Sequence, residues 1–297
     1  MISGQSKVTT ADGARPEGEA LVEEVRERYG KIATGAIKGC CGGGEAEQTV
    51  ACQIGYGKDA LARVPEGANL GLGCGAPIDF LRLKPGERVL DLGSGAGLDV
   101  FLAADKVGPT GHVIGVDMTP AMLERARANA KKAGIAHAEF REGRLEALPV
   151  VDASVDAVTS NCVINLVPDK GVVFREIARV LKPGGRLVVS DIILDGALPE
   201  ALRGDLLAYV GCVSGAMQRR AYFGLLESAG LGKIETLKDV DYLAAVAGTL
   251  PEEAQALLDR AGVKPEELAG KVRSVTYRAS KPEAAACCGP SCCGGTA

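Results

Sequence analysis

Between residues 86 and 193 the apolar positions follow two alternating rhythms. Short runs such as Val89-Leu90-Asp91-Leu92, Val113-Ile114-Gly115-Val116 and Leu187-Val188-Val189 have no polar face, as in strands covered on both sides. Between them lie longer stretches with apolar residues at helical spacing. The pattern predicts strands near 88–92, 112–117, 137–142, 154–160 and 186–193, and helices near 97–107, 119–133 and 170–181. This alternation defines an α/β fold with a mostly parallel, doubly wound sheet. Leu181-Lys182-Pro183-Gly184-Gly185-Arg186 stops the last helix and turns into the fifth strand. Upstream, Glu17 to Tyr29 predicts a helix ending near Gly30, and Lys58 to Val64 a shorter one. Downstream, Leu198 to Val210 and Tyr222 to Ala229 read as helices, and Pro251 to Leu268 as a charged, solvated helical stretch. Lys233 to Tyr242 and Lys271 to Ala279 alternate like antiparallel strands. Four divisions follow: a helical arm with cysteine loops over 1–85, the α/β core over 86–193, a smaller C-terminal α+β region over 194–280, and a flexible tail over 281–297.

The core's first strand runs straight into Gly93-Ser94-Gly95-Ala96-Gly97 and then a helix start. Glycines there permit positive φ and a close ligand approach, and the unpaired N–H groups of the following helix favour polar ligand groups. The second strand ends in Asp117, 26 residues after Asp91. An acid at that position grips a ribose diol in doubly wound sheets. The turn lacks the third glycine of G-x-G-x-x-G, so the ligand predicted is a nucleoside without a diphosphate. The competing reading makes Asp117 a cap for the helix after Thr119-Pro120. Ligands of such sheets sit beyond the strands' carboxyl ends, here Asp91–Gly97, Asp117, Gly143–Leu145, Asn161–Asn165 and Asp191.

Composition narrows the chemistry. A chain of 297 residues with 46% hydrophobic content can bury a full core. Its net charge of −4 predicts neither nucleic acid nor anionic membrane as partner. No apolar run reaches the roughly 18–20 residues that span a bilayer, and Met1 to Arg15 lacks a secretory apolar core, so the expected location is cytoplasmic. Ten cysteines in such a chain point to metal, metalloid or redox chemistry rather than structural disulfides. The two histidines, His112 and His137, sit in strand-like surroundings, and neither reads as a general base. Cys40 and Cys41 lie in a glycine-rich loop suited to a mobile redox or ligand role, against the plainer reading of a linker. Cys74 stands between two glycines ahead of the sheet, and Cys162 closes the fourth strand at the rim where a substrate would meet a cofactor, though a cysteine there also serves as a small buried hydrophobe. The tail holds Cys287, Cys288, Cys292 and Cys293. Adjacent pairs fit zinc's usual C-x-x-C spacing poorly and suit a larger, three-coordinate thiophilic ion.

With these pieces assembled, the chain resembles the S-adenosylmethionine-dependent arsenite methyltransferases of the bacterial kind, over roughly Val25 to Gly230. The likeness rests on Val25 to Gly30, the Cys40-Cys41 loop, Val64 to Gly75, Val89 to Gly97, Gly115 to Pro120, Ser160 to Leu166, and Gly211-Cys212-Val213. It implies a Rossmann-like class I methyltransferase fold with a C-terminal arsenic-binding region. It also implies methylation of arsenite and methylarsenite in arsenic detoxification, with Cys74, Cys162 and Cys212 holding As(III). Cys40 or Cys41 would exchange disulfides with the site afterwards. Asp91, Gly93 and Gly95 would line the methionine end of the cofactor, Asp117 the ribose and Met118 the adenine, with Ser94, Gly97 and Asn161 completing the pocket. Where the family often has an acid reaching the adenine amino group this chain has Arg144, which cannot accept that bond, so adenine recognition falls to the backbone at Leu145. A thiol reductant, thioredoxin or glutathione, would supply electrons to a monomeric enzyme. Two other readings stay open: a methyltransferase for an organic carbon or oxygen acceptor with merely buried cysteines, and a non-enzymatic thiol-rich metal-binding protein.

Overall fold

The computed structural model describes residues 16–37, 45–245 and 252–284. In chain order, α1 (Gly18–Ala33), α2 (Glu45–Ile54) and α3 (Lys58–Leu61) precede the first strand. The core follows as β1 (Arg88–Leu92), α4 (Leu98–Val107), β2 (His112–Asp117), α5 (Pro120–Ala133), β3 (Ala138–Glu142), β4 (Val155–Asn161), α6 (Lys170–Val180) and β5 (Leu181–Leu194). Then come α7 (Glu200–Arg203), α8 (Leu206–Val210), α9 (Arg219–Ser228), β6 (Gly232–Asp241), α10 (Tyr242–Ala245), α11 (Glu252–Ala261), α12 (Pro265–Leu268) and β7 (Val272–Ser280).

All seven strands form one sheet in the order β3-β2-β1-β4-β5-β7-β6. Strands β1 to β5 pair in parallel, and β7 pairs antiparallel with both β5 and β6. Residues alternate between two cores. Leu90, Ile114 and Val158 face α6 and α9 through Phe174, Ile177, Tyr222 and Leu226, while Val89, Val113 and Ala157 face α4 and α5 through Phe101 and Leu123. Both faces are covered, which accounts for the unbroken apolar runs. A third cluster roofs the strand ends, joining Leu21 and Val25 of α1 to Cys74, Tyr209, Cys212, Leu257 and Leu258.

The predicted core elements stand within a residue or so of where the pattern put them, except that β5 begins at Leu181. Its pairing with β4 jumps from Val155↔Leu181 to Ala157↔Arg186, so Pro183-Gly184-Gly185 makes an irregularity in the strand rather than a turn before it. Helix α1 continues through Gly30 to Ala33, and α3 stops at Leu61. The stretch 198–210 divides into α7 and α8 because Asp205 caps the second, its Oδ1 accepting the Ala208 N–H at 3.0 Å. Likewise 251–268 divides at Gly262, whose φ is +63°. Helix α2 was not foreseen: it buries Val50, Ala51 and Ile54 beside the core. Cys40, Cys41 and the four tail cysteines lie outside the described residues.

Candidate active site

One cavity runs along the carboxyl ends of the strands. Its walls are the β1–α4 turn, Met118 and Thr119 after β2, Gly143–Glu146 after β3, Asn161–Val163 after β4, and Val22, Val25 and Tyr29 of α1. The strand order reverses between β1 and β4, so the cavity occupies the topological switch point. Gly93 must be glycine: its φ is +64°, and a Cβ would stand 2.5 Å from the Val163 side chain. Ser94, Gly95, Leu145 and Asn161 also line the cavity. Gly97 does not; it is the N-cap of α4 and packs on Phe101.

Three carboxylates, Asp91, Asp99 and Asp117, line this cavity. Asp91 is 3% exposed and no hydrogen bond reaches its carboxylate among the described residues. Burial, then Asp99 and Asp117, push it well above the usual carboxylate range. A buried carboxylate without a partner is costly, and a cationic ligand group beside it would remove the cost. Asp117 is also raised by burial, against the backbone N–H bonds it accepts. Its Oδ2 takes the Gly95 N–H at 2.9 Å and its Oδ1 the Thr119 N–H at 2.8 Å. It thus stands at the cavity and also orders the start of α5, so the two sequence readings of this residue are compatible. Arg144 also lines the cavity, and its guanidinium binds Glu19 of α1 at 2.6 and 2.9 Å and Glu146 at 3.0 Å.

The structure also brings together three cysteines from distant segments, of which Cys162 and Cys212 line the cavity. Cys162 follows β4 with φ +60° and Cys212 follows α8 with φ +65°, conformations that cost non-glycine residues about 1–3 kcal/mol each and cluster at functional sites. Surrounding bonds enforce them. The Cys162 N–H donates to the Ser190 carbonyl at 2.8 Å, and the Cys212 thiol donates to the Cys162 carbonyl at 2.8 Å. Cys74 is held by its N–H on Asn161 Oδ1 at 3.1 Å and by Ser274, whose hydroxyl donates to the Cys74 carbonyl. Gly73 lets the loop lie flat on Asn161, with φ +116° and room for no side chain. The sulfurs of Cys74 and Cys162 and a carboxylate oxygen of Asp191 lie within 4.8 Å of one another. Burial raises the Cys74 thiol. The Cys212 thiol pulls Cys162 down, but Cys74 and burial outweigh it, and Cys162 in turn raises Cys212. All three therefore rest as thiols until a soft ion displaces their protons.

Of two groups behind this cluster, the sequence reading placed one, Asp191, at a strand end without a role and missed the other, Tyr56. Asp191, fully buried on β5, was visible only as an acid in an apolar run at a strand end. It accepts from Asn165 Nδ2 and from Tyr222 Oη, each at 2.8 Å, and burial pushes it up to about 7. Tyr56 had no motif at all. Its hydroxyl donates to the Asp99 carboxylate, 2.8 and 2.9 Å from the two oxygens, and accepts from Asn161 Nδ2 at 2.8 Å. Asn161 also donates to the Gly75 carbonyl at 2.7 Å. A continuous hydrogen-bonded chain thus joins the first turn of α4, at the cofactor cavity, to the loop carrying Cys74. The histidines lie elsewhere, His112 on Glu139 and His137 on the Ala104 carbonyl. Cys52 is a partly buried free thiol packed with the α4-side core.

A glycine-rich turn at a switch point, a carboxylate at the carboxyl end of each of the first two strands and the antiparallel last strand define a class I methyltransferase. The methyltransferase-domain family matches residues 83–243. Among relatives, the arsenite methyltransferase of Halobacterium salinarum is 47% identical over 247 residues, covering 79% of this chain and 62% of that protein. The arsenite methyltransferase of Aquipseudomonas alcaligenes is 41% identical over 209 residues, 66% of this chain and 57% of that one. The chain therefore spans about three fifths of the length of these curated relatives. The crystal structure of an arsenic(III) S-adenosylmethionine methyltransferase from Chlamydomonas reinhardtii superposes with a TM-score of 0.55 at 30% identity, covering 80% of this chain and 74% of that one. The chain belongs to the arsenite methyltransferase family.

Proposed function

We propose that the protein methylates trivalent arsenic, arsenite and then methylarsenite, with S-adenosylmethionine as methyl donor, and that this detoxifies arsenic in the cytoplasm. The observation that carries the reading is the meeting of three cysteines at the cofactor cavity: Cys162 and Cys212 line it, and the Cys74 sulfur lies within 4.8 Å of the Cys162 sulfur. The rest of the cavity fits the cofactor. The unpartnered Asp91 takes the cationic amino group, Asp117 the ribose hydroxyls, and Met118 with the Leu145 backbone the adenine. Gly93 and Gly95 leave room for the methionine portion beside Ser94. When bound, the cofactor supplies an electrophilic methyl group on a sulfonium.

The protein's part is to bind, aim and exclude water. Arsenous acid condensing with the three thiols forms three As–S bonds and releases three waters, so the thiol protons leave without a base. Three-coordinate arsenic keeps a lone pair, which would attack the sulfonium methyl as S-adenosylhomocysteine leaves. No proton is removed in that step, so histidines engaged elsewhere cost the reaction nothing, and rate comes from positioning. Methylated arsenic is then pentavalent and needs two electrons. Two thiolates supply them as a disulfide forms, with Cys40 or Cys41 as the exchanging partner, and thioredoxin or glutathione restores the thiols. The tail pairs Cys287-Cys288 and Cys292-Cys293 collect As(III) for the site of a protein acting as a monomer.

The test is methyl transfer from labelled S-adenosylmethionine to As(III) with added thiol, for the wild type and for Cys162→Ser. Methylated arsenic from the wild type and none from the variant is the expected result. Tight cofactor binding with no methylated arsenic from the wild type would overturn the proposal in favour of an organic acceptor.

A further inference from the structure

Trivalent arsenic uses three donors, and this site offers four. Asp191 brings a carboxylate oxygen within 4.8 Å of the Cys74 and Cys162 sulfurs, and Cys212 bonds directly to the Cys162 backbone. We propose that Cys74, Cys162, Cys212 and Asp191 form a four-coordinate S3O site for a thiophilic dication, Zn2+ or Cd2+, which occupies the substrate position. The dication needs four donors, mixes thiolate and carboxylate readily, and prefers a tetrahedron. With metal–sulfur bonds of about 2.3 Å, the corners of that tetrahedron lie roughly 3.7 Å apart. The Cys74, Cys162 and Asp191 donor atoms close to this with about an ångström of inward movement; Cys212 stands outside that group with its thiol on the Cys162 carbonyl, and it joins by rotating on the turn that carries it.

Asp191 is prepared for the role. Asn165 and Tyr222 fix its plane from the side chain, and the Ile192 N–H fixes it from the backbone at 3.1 Å, the outer bonds that orient a ligating carboxylate. Buried Lys170, whose charge reaches both Asp191 and Cys212, offsets part of the negative charge of the four donors. Binding forms three metal–sulfur bonds and one metal–oxygen bond and releases the thiol protons to solvent; no electron moves. A d10 dication carries no lone pair to attack a methyl group, so the complex is a dead end. That inhibitory consequence rests on the methyl-transfer reading; the binding does not.

The experiment is a Cd2+ titration of the full-length chain with Cys40, Cys41, Cys287, Cys288, Cys292 and Cys293 replaced by serine, kept reduced by a phosphine. Thiolate-to-metal absorbance reads the bound ion. The expected result is one Cd2+ per chain with the intensity of three thiolates, displaced by As(III) and lost in Cys162→Ser. Asp191→Asn should weaken Cd2+ about tenfold or more while As(III) still competes. Asparagine keeps the shape, and the unpartnered Oδ1 of Asn165 can turn to accept from it. Cd2+ that As(III) fails to displace, or an unchanged affinity in Asp191→Asn, would overturn the proposal. Should that variant not fold, Co2+ in the parent decides: a tetrahedral ligand-field spectrum supports the site, and any other coordination refutes it. Methyl transfer by the metal-free enzyme is measured separately, so a chain that binds Cd2+ but does not methylate would sink the functional proposal and leave this one standing.

Discussion

Removing one hydroxyl, in Tyr56→Phe, tests whether the chain from α4 to the Cys74 loop is energetically real. Tyr56 Oη is the side-chain donor on the buried Asp99 carboxylate, which is 6% exposed. A hydrogen bond to a charged group is worth roughly 1.5–3 kcal/mol net, and more is lost when the charge stays buried without a partner. A loss of about 2–3 kcal/mol is expected, or roughly 4–10 °C in Tm for a chain of this size. The loss should depend on pH. Burial raises Asp99 to about 6 from 3.8, with Tyr56 holding it down. A folded-state value above the unfolded one means the contribution is fullest below pH 3.8 and is lost as pH rises through 6. Without Tyr56 the carboxyl moves higher still, so the deficit should be larger at pH 8 than at pH 5. Asp99→Asn carries no charge to strand, so Tyr56→Phe in that background should cost less by about 1 kcal/mol or more. Thermal or urea melts of the four proteins at both pH values read the cycle. Equal deficits at pH 5 and pH 8, with additive single effects, would refute the reasoning.

Other perturbations separate the two ends of the site. Gly73→Ala places a Cβ 2.8 Å from Asn161 Nδ2 at a φ of +116°; it should cost about 1–3 kcal/mol and raise the KM for As(III) more than that for S-adenosylmethionine, as steady-state kinetics will show. Arg144→Ala frees α1 from the β3 loop. Because Glu19 is largely exposed, stability should change by less than about 1 kcal/mol, while cofactor affinity by calorimetry weakens about two- to fivefold, an effect that shrinks at high salt; unchanged affinity would remove the latch from cofactor binding. Cys212→Ser keeps a donor for the Cys162 carbonyl, so the fold should survive by circular dichroism while methyl transfer to arsenic is lost. Truncation after Glu283 should raise the apparent KM for As(III) at low concentration, and an unchanged KM would exclude the tail from delivery.

The α/β core was legible because its strands are buried on both faces. Leu90 and Val89 point to opposite cores yet are equally apolar, so burial wrote itself into the local sequence. The outer elements were less readable for a physical reason. The apolar pattern follows the buried face, and a face continues across a break in backbone hydrogen bonding. Hence 198–210 looks like one helix although Asp205 caps a second, and 251–268 likewise runs across Gly262. Helix α2 was hidden by its position after the glycine-rich stretch 42–44, which reads as loop.

The site divides along the same line. Gly93, Asp91 and Asp117 belong to one strand–turn–helix–strand unit whose chemistry is local, and the cysteines stood out because ten thiols in such a chain call for an explanation. Their arrangement was not local. Asn161 reaches Tyr56 across 105 residues and Cys74 across 87, and Ser274 reaches Cys74 across 200. Those bonds hold the cysteine loop at the end of the cofactor cavity, and nothing in the spacing of Tyr56 or Asp191 announces them. A polar residue in an apolar run carries information only once its partners are known: Asp191 becomes a candidate ligand because Asn165 and Tyr222 orient it toward two sulfurs. The candidate binding groups therefore showed in the sequence, whereas the groups that hold them in place required the fold.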